Sequence, residues 1–177
     1  MTPLSAIALV AVGNPMRGDD GVGAAVVEQL SDRLQTVPDR REVRVHIVDG
    51  EPTRIVSAIS GADLAIIIDA CRTDDPPGTV VTLEVETAGQ LADHAVLSSH
   101  GAGLAEAIGL AEALDRVPDR LVVIAISGSA FDLGSGLSES VDRAVPLAAR
   151  AALAEVSRYE EAARPSADRS HGWHPVK

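Results

Sequence analysis

Apolar residues in this chain fall into short uninterrupted runs that alternate with stretches of helical spacing. The run Ala6-Ile7-Ala8-Leu9-Val10-Ala11-Val12 is continuously apolar, as expected of a strand covered on both faces, and Gly21 to Leu34 reads as an amphipathic helix. Val43 to Gly50 alternates into a second strand, and Thr53 to Ser60 forms a short helix. Leu64-Ala65-Ile66-Ile67-Ile68-Asp69-Ala70 is the third and most apolar strand, which places it centrally; Thr79 to Leu83 follows as a fourth beyond the Pro76-Pro77-Gly78 turn. Gly101 to Leu114, apolar at Leu104, Ala107, Ile108 and Ala111, is helical; Leu121 to Ile126 is a fifth strand, and Ser138 to Tyr159 a long Ala-rich helix. The alternation predicts an α/β fold: a three-layer α/β/α sandwich around a mostly parallel five-stranded sheet. The short connection through Pro76-Pro77-Gly78 allows one antiparallel edge strand.

With 177 residues the chain suits one domain over 1–163, followed by a tail over 164–177 that loses apolar periodicity and is expected to be disordered. His171 and His174 in that tail lack a carboxylate partner and make a poor metal site. Hydrophobic residues are 46% of the chain but aromatics only 2%, so the core is built from Ala, Val, Leu and Ile, not from stacking rings. A formal net charge of -11 and a single lysine, Lys177, argue against nucleic acid and anionic membranes as partners. Cys71 stands alone, which excludes an intrachain disulfide and a cysteine-based zinc cage. The first apolar run has no basic flank or cleavage site, and no segment reaches the roughly 18 apolar residues of a membrane span, so a cytoplasmic protein is expected.

Ligands of an open α/β sheet gather at the carboxyl edge of its strands. The turn after the first strand carries Asp19 and Asp20, the second strand ends at Asp49, and the third at Asp69. One aspartate there can serve as a helix cap, and Asp69 could cap the Ala70-Cys71-Arg72 turn or pair with Arg72. A buried carboxylate otherwise needs hydrogen bonds, a cation or a metal. His100 opens another helix within Ser98-Ser99-His100-Gly101-Ala102-Gly103. Asp20, Asp69 and His100 together offer mixed oxygen and nitrogen donors that suit nickel or zinc, with open positions that point to catalysis or metal sensing. A Cys71–His100 thiol pair and a Ser99 or Ser127 nucleophile are the competing readings; both are weak, since no Gly-x-Ser-x-Gly elbow occurs. The glycines fit neither a dinucleotide fingerprint nor a phosphate loop.

Three blocks resemble the hydrogenase maturation endopeptidases, which process the large subunit of nickel-iron hydrogenases. They are Gly13-Asn14-Pro15-Met16-Arg17-Gly18-Asp19-Asp20-Gly21-Val22-Gly23, Ile68-Asp69-Ala70 with Pro77-Gly78, and Ser99-His100-Gly101-Ala102-Gly103-Leu104. The resemblance covers about residues 6 to 155 and implies a phosphorylase/hydrolase-like fold with Asp20, Asp69 and His100 as metal ligands and catalytic residues. It further implies a metal-dependent (aspartic-type) endopeptidase that removes the C-terminal extension of a hydrogenase large-subunit precursor after nickel insertion, the nickel belonging to the precursor and zinc or a similar ion being an alternative. Asp19 or Asp49 would be an accessory base. A nickel-sensing chaperone that cleaves nothing, or a peptidase of the same fold with another substrate, are the alternatives. Asp49-Gly50-Glu51-Pro52 departs from the Asp-Gly-Gly-Thr of many members.

Overall fold

The computed structural model describes residues 6–34, 42–93, 97–98 and 103–162. Among the described residues six strands occur in chain order: β1 (Ala6–Val12), β2 (Glu42–Val48), β3 (Leu64–Arg72), β4 (Val80–Glu84), β5 (Leu97–Ser98) and β6 (Arg120–Ser127). The helices are α1 (Val22–Leu34), α2 (Pro52–Ile59), α3 (Ala88–Asp93), α4 (Gly103–Ala113) and α5 (Glu139–Ala162), with a 3-10 turn at Gly18–Gly21 leading into α1. The sheet runs β2-β1-β3-β6-β4, with β5 attached to β3. β1, β2, β3 and β6 are mutually parallel, while β4 pairs antiparallel with β6 as the edge strand expected from the Pro76-Pro77-Gly78 connection.

Period-two alternation divides each strand between two cores. Ile7, Leu9 and Ala11 of β1 and Leu64, Ile66 and Ile68 of β3 face α1 and α5; Ala8, Val10, Ala65 and Ile67 face α2, α3 and α4. Both faces are therefore covered, which is why β1 and β3 read as unbroken apolar runs. Among the described residues β2 pairs on one side only, with β1, and accordingly alternates between half-buried and exposed positions.

Three differences from the sequence reading matter. β3 does not stop at Ala70: Ala70 pairs with Ile126 and Cys71 with Ser127, so Asp69 lies inside the strand, and the Ala70-Cys71-Arg72 turn offered as its alternative role is strand instead. β5 and α3 were not predicted; the five strands that were form the path β2-β1-β3-β6-β4, and β5 attaches to β3 beside it. β5 is a two-residue strand, and α3 takes its first-turn stabilisation from elsewhere: the Ala88 N–H donates to Glu112 Oε1 of α4 at 2.8 Å. Glu51-Pro52 has a local purpose, since Pro52 starts α2 and the Glu51 carboxylate accepts from the Thr53 and Arg54 N–H groups as its N-cap.

Candidate functional site

The chain leaves β1 through Gly13, whose N–H donates to the Val48 carbonyl at 2.8 Å and whose φ of +132° suits glycine. The Asn14 side chain accepts from the Met16 N–H and its carbonyl from the Arg17 N–H, folding the turn back before Gly18–Gly21. Gly23 then lets α1 lie against the sheet, since a Cβ there would stand 2.8 Å from the Ile68 carbonyl oxygen. That close approach sets the turn bearing Asp20 beside the stretch of β3 that carries Asp69.

Asp20 is 2% exposed and its Oδ2 accepts the Asn14 N–H at 2.8 Å. Asp69 is equally buried, opposite Ala125 in the ladder with β6 and on the face covered by α2, α3 and α4. His100 lies outside the described residues. The chain on either side of it is described: Ser98 pairs with Cys71, two residues beyond Asp69 in β3, and α4 begins at Gly103. Among the described residues no group of three His, Cys, Asp or Glu is placed to hold a metal ion.

Asp19 points elsewhere. It is fully buried, and its Oδ2 accepts from the N–H groups of Ser129 and Ala130 at 2.8 Å each and from the Ser138 hydroxyl at 3.1 Å, while Oδ1 accepts the Ser138 N–H at 2.7 Å. It was expected to cap its own helix; these partners lie instead more than a hundred residues away, in the segment joining β6 to α5. Burial opposes ionisation of Asp19 and is the largest single influence, but the donors from Ala130, Ser138 and Ser129 outweigh it and hold the carboxyl below the ordinary aspartate value. The same two segments also meet through Asp19 N–H to Ala130 carbonyl at 2.7 Å and Gly134 N–H to Met16 carbonyl at 2.8 Å. Sequence reasoning missed Gly128, Ser129 and Ser138; the only local signal was a Ser-Gly-Ser run directly after a buried strand.

Asp49 is exposed, pairs with Arg54 at 3.0 Å, and lines a cleft of about 340 Å³ with Gly13, Asn14, Pro15 and Ile47. Cys71 is buried, and desolvation first, then the charge of Asp69, push its thiol up to about 11 against a smaller opposing effect of the Ser127 hydroxyl. A thiol so protonated is no nucleophile at neutral pH. Ser127 is 2% exposed, with its hydroxyl 2.7 Å from that of Thr73. Arg72 lies over the Phe131 ring at 4.1 Å.

An α/β/α sandwich with one buried carboxylate in the β1–α1 turn and another on the central strand is the class of protein that fold and site define. The chain belongs to the hydrogenase maturation protease family, whose model matches residues 24–155. It is 26% identical over 151 residues to the hydrogenase 2 maturation protease of Escherichia coli, covering 84% of this chain and 88% of that one. To a putative hydrogenase maturation protease of Methanocaldococcus jannaschii it is 29% identical over 155 residues, covering 86% and 97%. Among solved structures, the hydrogenase maturating endopeptidase HybD of E. coli superposes with a TM-score of 0.69 at 25% identity, covering 87% of this chain and 93% of the other. The [NiFe] hydrogenase maturation protease HybD of Thermococcus kodakarensis gives 0.69 at 26%, covering 85% and 98%. The expected fold and family are thus found, and with them a protease. No helix among the described residues is long and apolar enough to cross a membrane.

Proposed function

We propose that this protein is an endopeptidase that removes the C-terminal extension of a nickel-iron hydrogenase large-subunit precursor once nickel has been inserted, with Asp20, Asp69 and His100 engaging the substrate's metal. The observation that carries this reading is the pair of carboxylates, Asp20 and Asp69, each 2% exposed and brought to one edge of the sheet by the close approach at Gly23. Two ionised carboxylates so buried are costly unless hydrogen bonds or a cation compensate them, and their oxygens with one imidazole nitrogen suit nickel, with zinc as an alternative. The position of Ser98 against Cys71 and the start of α4 at Gly103 support His100 as the third member.

Asp20, Asp69 and His100 would hold the metal, which would supply Lewis-acid polarisation of the scissile carbonyl or a water of lowered pKa. This chain's own part is orientation and proton transfer. The Asn14 N–H fixes Asp20, and the peptide is received at the cleft beside Gly13 and Asn14. Of the two accessory carboxylates, Asp49 at the rim of that cleft is the better base, because all four donors that reach Asp19 occupy its oxygens.

Incubating the nickel-loaded precursor with wild-type protein should lower its mass by that of the extension. Asp20→Ala, Asp69→Ala and His100→Ala, folded by circular dichroism, should leave the mass unchanged. Full processing by all three variants would sink the assignment; an unchanged mass with a stable wild-type complex would mark a nickel-sensing chaperone instead.

A further inference from the structure

We infer that Asp19 is a positioning residue: through the segment joining β6 to α5 it fixes the 3-10 turn that presents Asp20, and so sets the rate of the cleavage step without touching the substrate. The inference rests on the reading of Asp20 given above and adds to it a residue whose task is mechanical.

Four observations converge. Asp19 is fully buried, yet its donors come from neither its own turn nor its own helix: Ser129 N–H, Ala130 N–H, and both the N–H and the hydroxyl of Ser138. Its backbone N–H donates back to the Ala130 carbonyl at 2.7 Å, so main chain and side chain of one residue grip the same segment. The turn is gripped from its other side by Asp20, whose carboxylate takes the Asn14 N–H. Finally, the packing at Asp19 has no slack: a Cβ on Gly128 would lie 3.0 Å from the Asp19 Cβ and 2.7 Å from the Phe131 ring. A short 3-10 turn has little stiffness of its own, so the placement of Asp20 depends on these two opposed anchors. A shift of about 1 Å in a catalytic group can cost roughly a hundredfold in rate.

Asp19→Asn is the diagnostic variant. An amide oxygen can keep the Ser129 and Ala130 bonds, but its NH2 then meets the Ser138 N–H, donor against donor. We expect kcat for precursor cleavage to fall by about tenfold to a hundredfold with KM changed by less than about threefold. Gly128→Ala, which displaces Asp19 and leaves its charge intact, should fall the same way. Asp63→Ala is the control for simple instability. Its carboxylate takes the Ala6 N–H at 2.7 Å where β1 begins, at the other end of the sheet, and its loss should lower the melting temperature with kcat unchanged.

Hydrogen exchange reads the same coupling without turnover. Asp19→Asn should accelerate exchange at the Asn14 amide, which Asp19 does not touch, as well as at Ser129 and Ala130. A loss carried by KM, unaltered kinetics, or an unchanged Asn14 amide would overturn the inference. Absence of cleavage by the wild type would instead overturn the endopeptidase reading, and the Asn14 amide would still decide for or against the positioning role.

Discussion

Gly13 and Asp20 are so close that no side chain fits between them: a Cβ on Gly13 would stand 2.0 Å from the Asp20 carbonyl oxygen. The contact is backbone to backbone, so relief requires the turn itself to move. Gly13→Ala, at a φ of +132°, should therefore cost about 3 kcal/mol of stability and abolish precursor cleavage. Chemical denaturation and a cleavage assay on the same preparation would check both.

The acid limb of stability should report Asp19. Its folded pKa lies below the unfolded value of about 3.8, so its contribution is complete above that value and is lost as pH falls through the folded pKa. Wild type should exceed Asp19→Asn in unfolding free energy at neutral pH, and the gap should narrow below pH of about 4. A gap of constant size down to strongly acid pH would contradict the origin assigned to it.

Cys71 should be inert. With its thiol raised to about 11, the thiolate fraction at pH 8 is about a hundredfold or more below that of a free cysteine. Iodoacetamide should modify the native protein correspondingly slowly, and Cys71→Ala should still process the precursor. Loss of processing in that variant would revive the thiol mechanism.

At the opposite end of the sheet, Arg120 bonds Glu84 and the buried Glu155 at 2.9 Å each, and Arg158 also pairs with Glu155. Arg120→Ala leaves Glu155, 3% exposed, with one guanidinium where it had two, and should cost about 3 kcal/mol. Because Arg120 opens β6 at its amino end, kcat/KM measured well below the melting temperature should not change.

What was legible in the chain followed from local pattern. β1 and β3 announced themselves because both of their faces are covered, and the antiparallel β4 because the seven-residue connection 73–79 leaves no room for a helical crossover. What was illegible depended on partners far away in sequence. Cys71 and Arg72 extend β3 because β5 and β6 offer them backbone groups. α3 exists in part because Glu112 reaches its first turn. Asp20 and Asp69 were singled out by position, whereas the attachment of Asp19 to residues 129, 130 and 138 could not be read, since nothing within 100 residues of it supplies those donors.

The placement of β2 carries a colloidal consequence. It is a terminal strand, paired only with β1 among the described residues, and Val45 and Ile47 stand 44% and 56% exposed on it. Such a strand is a template for its own copy, and mutual repulsion between chains of net charge -11 opposes that association. Near the isoelectric point of about 4.7 the repulsion vanishes. Light scattering should rise there, and Ile47→Lys should suppress the rise, so that the acidity of this chain acts as a guard on its own sheet edge.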